Sequence, residues 1–574
     1  MTRTSLVFSI AFLVACGSSR RGANGDDDGQ TCPVCSPDNS AVMNCDGTVT
    51  QCAPGMGCSQ GACETACQAA EDNHSSVGCD YYAVDMDAAS GPPLQACFAV
   101  FVANTSQAVT HVQVEFNGSS IDLSKFAKLP IGQGMSLTYG NYDPIAGLQP
   151  GEVAILFLAY SPQILNVACP VGTTAAIGAE AQFGGTGFGH AFHITTDEPV
   201  VAYQMLPYGG GNAAATGASL LLPTSAWHTN YIAVSAYDTA QPPIPIPMGP
   251  SYNFVGMEDN TTVTIRPKSP IAAGTGLPAG AANSNYTFTV NKGQHAQFTQ
   301  LAPLSGSPVT SDKPIGVFGG HQIMSIDRCC GDHGEQMLTP IRALGSEYVA
   351  APHGDRKPPP DSRVYRLYGA VDGTQLTFEG ATASQSTLNE GDMLELRTDD
   401  GPFVVRSQDA DHPFGFFTYM TGAGVDDPTD MEYDPNYPGT AGDPDFVRLV
   451  PPLQYLQHYV FFTDVTYPFT TLTVVRQKDK NGMFQDVTLA CMGGPITSWQ
   501  PVGTGGQYEI AFVKIVDHWN AQNGCNNGVN VMDSSVPFGV WVWGWGSIDT
   551  STGWVSYGYP AGEGVLPIND VIIE

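Results

Sequence analysis

Four times the chain repeats a short polar step, a proline and a dense apolar run. The copies are Asp197-Glu-Pro199-Val-Val-Ala-Tyr203, Asp312-Lys-Pro314-Ile-Gly-Val-Phe318, Asp411-His-Pro413-Phe-Gly-Phe-Phe417 and Ser535-Val-Pro537-Phe-Gly-Val-Trp541, with their prolines 115, 99 and 124 residues apart. Proline fixes φ and lacks an N–H, so each copy reads as a turn that ends where a strand enters a sheet. The runs show no polar alternation, which places both faces of these strands inside the protein.

A second element recurs at fixed spacing. Pro223 to Tyr231, Pro340 to Tyr348 and Pro451 to Tyr459 are each separated by eight residues, and an apolar strand follows each tyrosine. Alternating β-branched strands come next, at Thr261–Ile265, Thr374–Phe378 and Thr470–Val474, and Asn291-Lys-Gly293 and Asn389-Glu-Gly391 supply turns. The pattern predicts an all-β chain of four internally repeated antiparallel units, each with six or seven strands and no helix beyond a turn or two. Sandwich-like packing is favoured over a propeller, because a blade needs only about 40 to 50 residues and each unit would have to supply two. The recurring tyrosines and tryptophans are expected in the core.

Composition agrees with many turns and few long surface helices: 65 Gly, 43 Pro and 13% charged residues. With 22 Lys+Arg against 54 Asp+Glu, the net charge of −32 argues against nucleic acid, whose phosphates require basic partners. The 42% hydrophobic share excludes wholesale disorder.

The N-terminus places Arg3 before an apolar run from Leu6 to Ala15, then Leu13-Val-Ala-Cys16-Gly17. The run is shorter than the roughly 20 residues that cross a bilayer. It resembles a bacterial lipoprotein signal, which implies cleavage before Cys16, lipidation of that cysteine, and attachment to the envelope, with the outer membrane expected because Gly17 is not Asp. Residues 17–31 read as a flexible tether, and Asp26, Asp27 and Asp28 as a solvated charge run.

Setting Cys16 aside leaves an even fourteen cysteines, which in an exported chain points to disulfides. Cys32, Cys35, Cys45, Cys52, Cys58, Cys63, Cys67 and Cys79 crowd a stretch too poor in aliphatic side chains to make its own core. Residues 32–76 are therefore a disulfide-stapled module of open connectivity, with zinc at the Cys32/Cys35 spacing as the minor alternative. Cys491 and Cys525 are the favoured pair among the rest. The segment from His321 to Glu335 gathers His321, Cys329, Cys330, Asp332, His333 and Glu335; a disulfide-bearing loop accounts for it better than a metal site.

A second acidic cluster lies between residues 426 and 445. Asp430, Glu432, Asp434 and Asn436 stand at alternate positions and are the candidate ligands for a calcium ion, the one cofactor considered. The competing reading is a solvated acidic loop. No HExxH or phosphate-binding glycine loop occurs, although a glycosidase would need only two carboxylates.

Residues 77–574 resemble the N-terminal domain family of IgGFc-binding protein, copies of which are carried on bacterial lipoproteins. The resemblance rests on Gly78-Cys-Asp-Tyr-Tyr-Ala-Val-Asp85, Leu220-Leu-Leu-Pro223, Asp332-His333 with Glu335-Gln336, Gly442-Asp-Pro444, Ser556-Tyr-Gly-Tyr-Pro560 and the first two proline copies. It implies an extracellular, non-catalytic binding or adhesion module whose namesake is associated with immunoglobulin Fc and mucus. Two features depart from it: the von Willebrand type D and cysteine-rich modules of animal members are missing, and Gln322-Ile-Met324 follows His321 where a cysteine is expected. The sequence thus predicts a lipid-anchored surface protein that binds an extracellular protein or glycan. A carbohydrate-active enzyme and a purely structural envelope protein are the alternatives.

Overall fold

The computed structural model describes residues 32–36, 39–88, 96–161, 167–213, 215–238, 248–326, 331–356, 363–398, 401–422, 441–547, 550–552 and 555–573. The expectations for Cys16, for Cys329 and Cys330, and for the calcium quartet Asp430, Glu432, Asp434 and Asn436 fall outside these residues. Among the described residues there is one α-helix, Ala66–Asn73 (α1), and otherwise strands and single 3₁₀ turns.

Three of the four repeated prolines do not stand at strand entrances. Pro199, Pro314 and Pro537 lie inside single long strands, Phe192–Leu206, Ser307–Met324 and Gly528–Trp545. Each long strand bends at its proline and serves two layers. In the first, Phe192–Thr196 pairs with Val112–Phe116, whereas Val200–Met205 pairs with Phe98–Asn104. In the second, Val309–Ser311 pairs with Val263–Ile265 and Ile315–His321 with Pro250–Gly256. Only the third copy keeps proline outside a strand: Val404–Arg406 and Phe414–Met420 belong to separate sheets, with Pro413 between them. Proline is tolerated within a strand where a bulge already breaks the ladder, and a register shift accompanies the bend in the first, second and fourth copies. The result is a strand that turns a sandwich corner.

The proline-to-tyrosine spacing has its reason at the same corner. Pro223, Pro340 and Pro451 each precede a 3₁₀ turn, and the next strand carries the tyrosine. Tyr231 donates its hydroxyl to the Ile315 carbonyl at 2.8 Å, and Tyr459 donates to the Phe538 carbonyl. Both acceptors directly follow a repeat proline, where the register shift takes the carbonyl out of the ladder. Tyr81 does the same for Val200 at 2.6 Å. That equivalence is hidden in the sequence because Asn73, not proline, stands eight residues earlier. Trp227 and Tyr455, four residues after their prolines, lie over Gly316 and Gly539, where a Cβ would come within 2.6 Å of either ring.

Residues 77–222, 223–339, 340–450 and 451–560 thus form four sheet modules, each ending in an inner strand: Gly217–Leu221, Asp332–Met337, Asp445–Arg448 and Ser556–Pro560. Every inner strand pairs with the strand that follows its module's repeat proline, or with the far half of the bent strand, and packs against the inner strands of the modules before and after, the fourth returning to the first. The modules are therefore curled and sandwich-like, yet they follow one another around a common axis as blades do. Their hydrophobic cores are shared, one running between the first and fourth modules and another between the third and fourth. Residues 561–573 lace across the turns: Val565 N–H bonds the His74 carbonyl at 2.6 Å, Gly564 that of Gln454 at 2.6 Å, and Ile568 that of Arg342 at 2.9 Å.

The cysteine-rich stretch is closed by Cys32–Cys45, Cys35–Cys58, Cys52–Cys63 and Cys67–Cys79, which leaves no thiolates there for zinc. Further disulfides join Cys97 to Cys169 and Cys491 to Cys525.

Candidate functional site

Two places concentrate chemistry, one sealed and one open. The sealed one is the end of the axis at which all four inner strands begin. Thr216 and the first residues of the other three inner strands, Asp332, Asp445 and Ser556, come together there, none more than 1% exposed. Thr216 Oγ1 donates to Asp332 Oδ2 at 3.0 Å and Ser556 N–H to the same oxygen at 3.0 Å, while Thr216 N–H bonds Oδ1. Ser556 Oγ donates to the Asp443 carbonyl at 2.6 Å, which brings in the third module. A step further along, Gln336 Nε2 donates to the carbonyls of Ala218 and Gly558 at 2.9 and 3.0 Å. One carboxylate and one carboxamide thus tie the first, second and fourth modules.

Burial pushes the carboxyls of both Asp332 and Asp445 up, and Asp332 adds to the rise at Asp445. Asp332 accepts from Thr216, Ser556 and the His333 N–H, whereas Asp445 Oδ2 has no hydrogen-bond partner. The hydrogen bonds that Asp332 accepts favour its ionised form over that of Asp445. His333 and Glu335 lie beside them, wholly buried, with Nε2 3.8 Å from Oε2, and Gln204 Nε2 donates to Glu335 at 2.8 Å. Burial drives the imidazole of His321 down to about 3. This seam takes in much of the His321–Glu335 motif. Among the described residues, no group of three or more His, Cys, Asp or Glu is arranged to hold a metal. Asp443 and Asp445, in the stretch that the sequence reads as a solvated acidic loop or a calcium loop, are fully buried, Asp445 as the first residue of an inner strand and Asp443 two residues before it. Among the described residues its carboxylates are enclosed, and the seam is a joint between modules.

The open place is a groove of about 200 Å³ between the disulfide-stapled region and the first module. Ala66, Ala69 and Ala70 form its floor from one face of α1, a short helix that owes its stability to alanine and to the Cys67–Cys79 staple. Met56 and Pro199 add apolar wall, and Glu198, from the first proline copy, turns its carboxylate into the rim. Gly55, at φ +76°, brings backbone against it: a Cβ there would lie 3.3 Å from Glu198 Oε1. Burial, with Asp197 adding to it, pushes the Glu198 carboxyl up. A pocket for a whole small molecule usually measures roughly 300 to 1,000 Å³, so this volume suits one long side chain. Sequence reading missed the groove; its trace is the alanine-rich run between Cys63 and Cys79, and a Glu-Pro step that reads as a turn.

Comparison with protein families matches the model described as IgGFc binding protein to residues 217–544. The chain belongs to the IgGFc binding protein family. The matched span starts at Gly217, on the first inner strand, and reaches Gly544, next to the end of the long strand of the fourth module, so it takes in the second and third modules and most of the fourth. The stapled region and most of the first module lie outside it, and the groove with them. A comparison with curated proteins gave no match.

Proposed function

We propose that this member of the IgGFc binding protein family is a non-catalytic surface lipoprotein, held to the envelope through Cys16, that binds an extracellular protein through the groove beside Glu198. The observation that carries this reading is the contrast between the two sites: the clustered carboxylates are sealed in the axial seam, and the accessible concavity is a largely apolar groove stapled by disulfides. The family's name supports a protein ligand, and the even cysteine complement supports an oxidising exterior. Calcium at Asp430, Glu432, Asp434 and Asn436 is a separate proposal, tested by whether chelation changes ligand retention.

Intact cells expressing the chain test the proposal. Surface labelling and retention of extracellular proteins should both appear with the wild-type chain and disappear from the cell fraction in Cys16→Ser. Ala108 lines the groove, and retention that persists in Ala108→Trp, a bulky substitution in that lining, would contradict the assignment of the site.

A further inference from the structure

The groove continues into an open sheet edge. Val49–Gln51 is the last strand of a three-stranded sheet, paired on one side with Ala41–Met43, and all three of its residues are exposed. Cys52 N–H donates to the Ser40 carbonyl at 3.0 Å and Asn44 N–H to the Thr48 carbonyl at 2.8 Å. Even-numbered residues therefore turn their backbone groups toward the neighbouring strand, and Val49 and Gln51 turn theirs outward. Among the described residues no backbone partner meets those two. Natural proteins usually block such an edge with lysine, proline or a covering loop, because an unpaired edge is a template for another strand. Among the described residues it is left open, and the cross-strand pair Val49 and Met43, 62% and 42% exposed, adds an apolar face beside it.

Gln51 belongs both to this edge and to the groove wall, so a strand laid along the edge is led into the groove. At the groove stands Glu198, whose carboxylate has no cation within ion-pair distance among the described residues, next to Asp197, on a chain of net charge −32. A carboxylate against a side-chain-sized apolar slot favours a long aliphatic stem with a cationic end.

We infer that the Val49–Gln51 edge takes an extended segment of a partner protein as an added strand, and that a lysine or arginine of that segment fills the groove against Glu198. The inference rests on the binding function proposed above and specifies its ligand chemistry. Main-chain pairing supplies affinity in this mode and the side-chain slot supplies selectivity.

Fluorescence anisotropy of the full chain with soluble, labelled peptides of alternating threonine and valine, carrying a central lysine, glutamine or glutamate, tests it. The lysine peptide is expected to bind saturably, with the glutamate peptide at least about tenfold weaker. Gln51→Pro removes an outward N–H while leaving the inner ladder intact, and should abolish binding without lowering the melting temperature. Glu198→Gln should erase the preference for lysine over glutamine. Equal affinity for all three peptides, undiminished binding by Gln51→Pro, or no saturable binding would overturn strand addition. If cells retain an extracellular protein while both variants leave that retention unchanged, this inference fails and the binding function stands. Binding that appears only after Arg20 and Arg21 are replaced by serine would assign the edge to the chain's own tether and overturn a partner strand.

Discussion

The Tyr231 hydroxyl donates to the Ile315 carbonyl across 2.8 Å of buried space, and this bond explains why eight residues separate Pro223 from its tyrosine. The proline starts the 3₁₀ turn, the turn sets the strand, and the strand delivers the hydroxyl to the carbonyl stranded by the bend at Pro314. Tyr231→Phe keeps the ring and removes the donor. It should cost about 1 to 3 kcal/mol, the penalty of an unsatisfied buried acceptor, and Tyr459→Phe should cost a similar amount. Thermal unfolding of the two variants checks this; an unchanged melting temperature in both would refute the corner role.

The two axial aspartates should respond differently to the same substitution. Asp332→Asn presents an amide donor to Thr216 and Ser556 N–H groups that need an acceptor, and should destabilise the fold by about 3 to 5 kcal/mol. Asp445→Asn replaces a carboxyl whose ionised form burial disfavours and should change stability by less than about 1 kcal/mol. Equal losses would show that the hydrogen bonds to Asp332 do not set the two aspartates apart.

The pH dependence follows from the same seam. Asp445 has a folded-state pKa raised by burial and by Asp332, so above about pH 4 the unfolded chain has lost a proton that the folded chain keeps. Its contribution to stability is therefore full below that pH and is lost as pH rises through the folded-state value. His321 runs the other way: its folded-state pKa lies near 3, so stability falls as pH drops below the ordinary imidazole value of about 6.5. Melting temperatures between pH 4 and 8 should show Asp445→Asn flattening the fall toward high pH and His321→Gln flattening the fall toward low pH. Identical slopes in both variants and the wild type would exclude the seam as the source.

Cys97 and Cys169 are 72 residues apart in sequence, and their disulfide closes the largest loop among those described. Replacing both with serine should cost about 2 to 4 kcal/mol through the loop entropy returned to the unfolded chain. Replacing Cys52 and Cys63, 11 residues apart, should cost global stability less and disturb the groove wall more. Unfolding and peptide binding measured on both variants separate the two effects.

Much of the fold was legible because its constraints are local. A proline beside an apolar run and a proline eight residues from a tyrosine are visible in one dimension, and each marks a corner in three. The continuous burial of Phe414–Met420 was readable from the lack of polar alternation in the run. The placement of proline inside the long strands was not, since a bulge depends on the partner strand. Nor was the axial ring, which joins Thr216, Asp332, Asp445 and Ser556 over more than 300 residues of separation and turns two aspartates of an acidic stretch inward. The groove was illegible for the same reason: Glu198 and Ala69 meet only once the stapled helix docks on the first bent strand.

The most direct test of the central claim is retention of the purified chain on arrays of extracellular proteins and glycans, compared with Ala108→Trp, with the mass of any retained partner recorded after incubation. The account predicts saturable retention on protein spots, loss of that retention in Ala108→Trp, and no change in partner mass. Cleavage of a retained partner, or retention indifferent to that substitution, would contradict it.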